Sequence, residues 1–172
     1  MSETGMLRRL DELGRIVIPK GIRSRLHMNE GDRLEMFVND REEIVVRKYS
    51  LFQGKEGLLS PMLEQMSRDF QKDILLVSNA FVICGFGNHV SPWIGKGVSR
   101  ELIRALEDRK NVALENFMIV PGEERVNALL FPMAKNSEVI GGILFLNGRT
   151  LDETQSRILA VYRNVMMNIL YI

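Results

Sequence analysis

The sequence has few of the residue types that build chemical centres. Its 172 residues include one cysteine, Cys84, and two histidines, His27 and His89. A single cysteine excludes an intrachain disulfide, and two distant histidines give no spacing typical of a metal site. We therefore expect neither a metal nor a cofactor.

Long apolar runs are also absent. No segment approaches the ~18 consecutive apolar residues that a membrane-spanning helix needs. The N-terminal residues lack the apolar core of a secretory signal. Together with the single cysteine, these absences favour a cytoplasmic protein with no membrane partner. The net charge is only +1, so charge is informative only when it is mapped along the chain.

Positive charge is concentrated near the N-terminus. Residues 1–25 give +6 − 3 = +3, with Glu3, Asp11 and Glu12 as the acidic side chains, whereas residues 26–50 give +4 − 6 = −2. Five of the six early basic residues are arginine, which suits contacts with phosphate and guanine better than lysine does. On charge alone, a solvated surface of mixed charge remains an alternative. The six basic residues are Arg8, Arg9, Arg15, Lys20, Arg23 and Arg25.

Short elements fill the first fifty residues. The patterns predict four strands, over 5–10, 15–18, 33–38 and 44–49, and a helix over 20–27 that follows Pro19. A unit of this size hides its apolar faces poorly and usually needs a metal, disulfides or a partner chain. Because it has no cluster of metal ligands and no cysteine, we expect a second copy of the chain. A two-fold symmetric basic surface matches duplex DNA.

The stretch "TGMLRRLDELGRIVIPKGIRSRLHMNEGDRLEMFV" resembles the DNA-binding domain of the AbrB-like transition-state regulators, and the match continues to "VRKYS". The resemblance implies a domain over residues 1–50 in which two chains interlace swapped hairpins into a dimeric β-barrel. It also implies a nucleoid-associated protein that controls sporulation genes. The basic residues that it places on double-stranded DNA are Arg8, Arg9, Arg15, Lys20, Arg23 and Arg25.

The second part of the chain has a different pattern. Residues 51–57 are predicted to be a linker, and the elements after it follow the order α-β-β-α-β-β-β-α. This order is typical of an antiparallel sheet with helices on its faces, an α+β sandwich. A T-x-x-E capping box at Thr150 and Glu153 is predicted to begin the last helix.

The element order and "EVIGGILFL" resemble a GAF domain. The resemblance implies that residues 58–172 assemble dimers further, into a homotetramer. GAF domains often bind a small molecule, so sensing is one implied role, whereas many others bind none and serve only as dimerisation modules. The loop "GNHVSPWIGKG" is the predicted rim of a ligand pocket, through Asn88, His89 and Trp93. The alternative is an ordinary connection that carries a partly buried tryptophan.

No enzyme is predicted. Cys84 lies in the apolar strand "FVICGF" without a His–Asp arrangement, so it is more typical of a small buried side chain than of a nucleophile. The stretch "GFGNH" lacks the third glycine and the helix of a dinucleotide-binding fingerprint. Paired carboxylates and nucleophile motifs are not recognisable either.

The sequence therefore predicts a homo-oligomeric, DNA-binding transcription regulator. An antitoxin-like DNA-binding protein is the alternative, because the same swapped-hairpin fold serves antitoxins. Antitoxins usually end in a disordered toxin-binding tail, and the periodic apolar residues 56–172 differ from such a tail. A C-terminal enzyme whose active site forms only in three dimensions also stays open.

Overall fold

The computed structural model describes residues 5–26, 28, 30–88, 90–136, 138–148 and 150–172. The chain divides into two compact units, Met1–Tyr49 and Ser50–Ile172. The elements are, in chain order, α1 (Lys20–Arg25), β1 (Leu34–Val38), β2 (Ile44–Lys48), α2 (Glu56–Phe70), β3 (Ile74–Ser78), β4 (Val82–Phe86), a 3₁₀ helix (Ser91–Trp93), α3 (Arg100–Glu107), β5 (Val112–Met118), β6 (Arg125–Lys135), β7 (Glu138–Leu146) and α4 (Glu153–Leu170).

The N-terminal unit contains one short helix and one hairpin. Helix α1 begins directly after Pro19, whose fixed φ of −59° suits the entry to a helix, and it contains no buried residue. Strands β1 and β2 form an antiparallel pair. Asn39 closes the hairpin, because its Oδ1 accepts the backbone N–H groups of Arg41 and Glu43 at 3.0 and 2.9 Å.

Two of the four strands predicted for this unit are not formed, so that part of the prediction was wrong. Residues 5–10 and 15–18 have no regular secondary structure, although their β-branched and apolar residues favour strands. A strand needs a partner for its backbone N–H and C=O groups. In the described part of the chain the only sheet of this unit is the two-stranded pair β1–β2.

The C-terminal unit is a five-stranded sheet with helices on both faces. Its strand order is β4-β3-β7-β6-β5, and every neighbouring pair is antiparallel. Helices α2 and α4 cover one face, where they bury Leu63 and Met166 against Phe145. Helix α3 covers the other face, where Leu102 packs with Leu144. The predicted element order and the α+β sandwich are confirmed.

Alternating side chains explain why the sheet is buried on both faces. In β3, Ile74 and Leu76 face the layer of α2 and α4, whereas Leu75 and Val77 face the layer of α3. Successive side chains of a strand point to opposite faces, so a strand covered on both sides is apolar at every position. The run "ILLVS" is accordingly buried throughout.

Helix α4 begins later than the capping-box prediction placed it. The residue that precedes the helix is Asp152, whose carboxylate accepts the Gln155 N–H at 2.7 Å, while the Gln155 side chain accepts the Asp152 N–H at 3.1 Å. This reciprocal pair is a capping box two residues beyond the predicted one at Thr150 and Glu153. Asp and Ser/Thr are nearly equivalent as N-caps, so Asp152 can take the role predicted for Thr150.

The segment between the hairpin and α2 is tied to the C-terminal unit. Phe52 is fully buried in the core shared by α2 and α4. Lys55 donates from Nζ to the carbonyl oxygens of Ile169 and Leu170 at 3.0 and 2.8 Å. These carbonyls belong to the last turn of α4, where helical carbonyls lack intrahelical donors. Residues 51–57, predicted as a linker, therefore include two anchors on the C-terminal unit.

Replacing Lys55 by methionine is expected to lower the free energy of unfolding by about 1–3 kcal/mol, because two carbonyl groups lose a charged donor while the apolar stem is kept. Urea unfolding of the full chain, followed by circular dichroism, measures the change. Lys110→Met is the matched control, since Lys110 is exposed in the turn after α3. Equal stability of the two variants would contradict the structural role of Lys55.

Candidate nucleic-acid interface and ligand loop

All six predicted DNA-binding residues lie on the surface of the N-terminal unit. Each of their side chains is exposed. Within residues 5–26 they are opposed only by Asp11 and Glu12, so the segment carries +6 − 2 = +4. Within the described ranges, Arg15 is the only one of the six in an ion pair. The predicted positions are Arg8, Arg9, Arg15, Lys20, Arg23 and Arg25.

A tight turn presents Arg15. The Asp11 carbonyl accepts the Gly14 N–H at 3.0 Å, and Gly14 has a φ of 73°, which a residue with a side chain rarely adopts. The Asp11 carboxylate accepts the backbone N–H groups of Leu13 and Arg15 at 2.9 and 2.8 Å. It also accepts Arg15 Nε at 2.7 Å. The side chain of Asp11 therefore holds both the turn and the arginine that follows it.

Arg15 donates hydrogen bonds to the Asp11 carboxylate, and these lower the pKa of the Asp11 carboxyl. The bond from the Arg15 backbone N–H has the larger effect, and the bond from its side chain comes second. Hydrogen bonds to the ionised form of an acid favour that form. Asp11 is consequently a carboxylate at neutral pH. A count of charges along the sequence gives Asp11 only as an opposing charge. The pattern D-x-x-G-R, in which an aspartate precedes a turn glycine, is the signal that points to this role.

The other basic residues lie on and beside α1. Arg23 donates from Nε to the carbonyl of Ile18 at 3.2 Å, which fixes its side chain against the segment before the helix. Lys20 and Arg25 lie at the two ends of the helix. Met6 packs beside Gly21, since a Cβ at that glycine would lie 4.0 Å from Met6 Cε. The end of the Met6 side chain therefore lies near the start of α1.

Basic residues of the hairpin have a different environment. Arg47 pairs with Glu35 at 2.9 Å and stacks on the ring of Phe37, with 4.5 Å from its Cζ to the ring centroid. Lys48 pairs with Asp32 at 2.9 Å. These cations are therefore neutralised locally. Five of the six basic residues of segment 5–26, by contrast, have no ion pair within the described ranges.

The residues predicted to form the rim of a ligand pocket differ in their burial. Trp93 lies in the 3₁₀ helix and is 2 % exposed, packed in the core on the α3 side of the sheet. Asn88 is exposed, and His89 lies outside the described residues. Lys96 donates to the Glu123 carboxylate, and this bond is the main cause that lowers the pKa of Glu123. The structure thus places Asn88 and Trp93 in different environments, one in solvent and one in the core.

Cys84 is buried, as the sequence predicts. Burial raises the pKa of its thiol to about 11, so the thiol is protonated at neutral pH and is a poor nucleophile. Among the described residues, no three His, Cys, Asp or Glu side chains are grouped as a metal site. In the same part of the chain, no helix combines the length and apolar character needed to cross a membrane.

Comparisons with known proteins match both units. The family described as "Antidote-toxin recognition MazE, bacterial antitoxin" matches residues 7–53. The stage V sporulation protein T of Bacillus subtilis (strain 168) is 29% identical over 163 residues, which cover 91% of this chain and 92% of that protein. The transition state regulatory protein AbrB of the same organism is 49% identical over 49 residues, 28% of this chain and 50% of AbrB.

Solved structures resemble the C-terminal unit. The GAF domain of an Acinetobacter phosphoenolpyruvate-protein phosphotransferase aligns with a TM-score of 0.54 at 18% identity, over 72% of this chain and 84% of that one. A GAF domain/HD domain protein from Geobacter sulfurreducens aligns with a TM-score of 0.52 at 10% identity, over 72% and 93%. At such identities the likeness establishes the fold. The chain is therefore similar along most of its length to stage V sporulation protein T, its residues 7–53 match the MazE antitoxin family, and its C-terminal unit has the GAF fold.

Proposed function

We propose that this chain is a cytoplasmic, nucleoid-associated transcription regulator of sporulation or stationary-phase genes. Its N-terminal unit dimerises and binds double-stranded DNA. Its C-terminal unit joins dimers into a homotetramer and senses a small molecule. The proposed function is not enzymatic. The observation that carries the proposal is the exposed segment 5–26, with a charge of +4 and one internal ion pair.

The chemistry of the segment supports DNA as its partner. Arginine supplies five of the six cations, and its planar guanidinium can donate two parallel hydrogen bonds to a phosphate or to the major-groove edge of guanine. The names of the relatives, a sporulation protein and a transition state regulatory protein, point to gene control. A dimer would present two such segments related by a two-fold axis, which suits duplex half-sites.

An antitoxin role has one observation in its favour, the description of the family that matches residues 7–53. The arrangement of the rest of the chain favours the regulator. Residues 50–172 form a compact unit with a buried core on each face of its sheet. Similarity to the sporulation protein also continues through this unit. Co-purification of a toxin with the full chain would reverse the preference.

Replacing Arg8, Arg15 or Arg23 by alanine is expected to weaken DNA binding while the fold is retained. In a dimer each substitution removes two cations, so the slope of log K against log salt should fall by about 2 where the arginine contacts phosphate. Where it reads a base edge, discrimination of ~1–3 kcal/mol should disappear at one position of the site. Fluorescence anisotropy titrations at several salt concentrations measure both quantities.

Arg41→Ala is the matched control. Arg41 is an exposed arginine at the hairpin tip, outside the basic segment, and its loss changes the net charge by the same amount. We expect this variant to keep a salt slope close to that of the parent chain. If all three substitutions in the segment behave like Arg41→Ala, residues 5–26 are not the DNA-binding surface.

A further inference from the structure

The contacts of Asp11 point to a function for an acidic residue on a basic surface. We infer that Asp11 is a positioning residue for DNA recognition, which sets the guanidinium of Arg15 before DNA arrives. The inference rests on the proposed function, because it assigns a role within the same surface. It is carried by three hydrogen bonds that the Asp11 carboxylate accepts, two from backbone N–H groups of the loop and one from the Arg15 side chain.

The two oxygens of the carboxylate have separate tasks. Oδ1 accepts the backbone N–H groups of Leu13 and Arg15, which shapes the turn. Oδ2 accepts Arg15 Nε at 2.7 Å, which orients the guanidinium plane. The Nε contact leaves the two terminal nitrogens of Arg15, with four N–H donors, for a phosphate or a base edge.

The orientation of Arg15 matters because its side chain has many rotatable bonds and lies in solvent. Its side chain is 73% exposed. A long, solvated side chain loses rotamer entropy when it is fixed in a complex, and a side chain held beforehand loses less on binding. Asp11 therefore favours the bound complex by restricting the free protein.

The sign of the effect separates positioning from simple electrostatics. A carboxylate on a DNA-binding face repels phosphate, so removing its charge should strengthen non-specific binding. Glu12 lies next to Asp11 and is exposed. Within the described part of the chain it has no side-chain contact of the kind that Asp11 makes. Neutralising Glu12 thus measures the charge effect alone.

Asp11→Asn tests the inference in the full chain. The amide oxygen of asparagine can still accept the two backbone N–H groups, whereas its NH₂ group cannot accept Arg15 Nε. Two probes are used: a duplex selected from a random-sequence library by the parent protein, and an unselected random duplex. We expect Asp11→Asn to weaken binding to the selected duplex by about 3- to 30-fold. Binding of the random duplex should be unchanged or tighter, and Glu12→Gln should weaken neither.

A double-mutant cycle shows whether Asp11 acts through Arg15. In an Arg15→Ala background, Asp11→Asn should cause no further loss on the selected duplex. Arg15→Lys should behave in the same way, because lysine keeps the charge and lacks the Nε contact. A further loss in either background, or tighter binding by Asp11→Asn on the selected duplex, would overturn the inference.

Two further controls distinguish loss of positioning from loss of folding and from failure of the DNA-binding proposal. Thermal melting of each variant is followed by circular dichroism. If Asp11→Asn lowers the melting temperature, Asp11→Ser replaces it, since a serine hydroxyl can also accept the backbone groups of the turn. Loss of binding in Arg15→Ala without any loss in Asp11→Asn rejects the positioning role alone. A parent chain that binds neither duplex rejects the DNA-binding proposal itself.

Discussion

A fragment of residues 1–50 is expected to be folded only as a dimer, with a melting temperature that rises with protein concentration. The structure of the single chain gives the reason. Among the described residues of this unit only Met28 is buried, and large apolar side chains lie in solvent, including Leu7 at 97 % and Val17 at 75 % exposed. Burial of apolar area stabilises a fold, and among its described residues one copy of this unit buries a single apolar side chain.

The hairpin offers one surface that a second copy can cover. Leu34, Met36 and Val38 project from the same face of β1, and Ile44 lies opposite Val38 on β2. These side chains are 42–70% exposed, so the face is apolar and open in the single chain. Met36→Asp should therefore abolish dimerisation and, with it, folding of the fragment, because a buried unpaired carboxylate is costly.

Analytical ultracentrifugation together with circular dichroism measures both properties on the same samples. Asp40→Ala at the hairpin tip is the control, since it alters an exposed residue away from the apolar face. It should leave the dimer intact. A fragment that sediments as a monomer and still melts cooperatively, at a temperature independent of concentration, would show that a single chain is sufficient.

The two units differ in how much of their structure the sequence could predict. In the C-terminal unit, apolar side chains that recur with periods of 2.0 and 3.6 residues predict the strands and the helices. The prediction succeeds because the partners of every strand lie in the same chain. Strands β3 and β7, for example, pair along "ILLVS" and "GGILF". In the N-terminal unit the same kind of pattern predicted strands over 5–10 and 15–18. Pairing depends on a partner backbone, which a single chain does not supply there.

The candidate sites show a similar division. The positions of the basic residues could be read from the sequence, since exposed charge follows from composition and pattern. The contact between Asp11 and Arg15 depends on the positive φ of Gly14, and a charge count treats the two residues only as opposite signs. The sequence predicts that Trp93 lies in a loop. The burial of its side chain depends on how the 3₁₀ helix packs over the sheet, which a local pattern does not contain.

Replacing residues 50–172 by a coiled coil is expected to separate assembly from sensing. A small molecule bound to the C-terminal unit can change DNA binding only by favouring one arrangement of the assembly over another. The coupling between two such sites is typically about 1–3 kcal/mol, or about 5- to 150-fold in affinity. Within the C-terminal unit, Phe52 and Lys55 hold the segment that follows Tyr49 against α4.

We expect a chimera whose coiled coil has the matching valence and geometry to bind a selected duplex with the affinity of the parent chain. In cells it should regulate a reporter gene to the same extent at every growth stage, because the sensing unit is gone. A chimera with a monomeric replacement is the control, and it should lose affinity. Binding titrations and reporter activity along a growth curve give the two readouts. If the matched chimera follows growth stage as the parent does, the C-terminal unit only assembles the protein, since its replacement shares no ligand-binding residue with it.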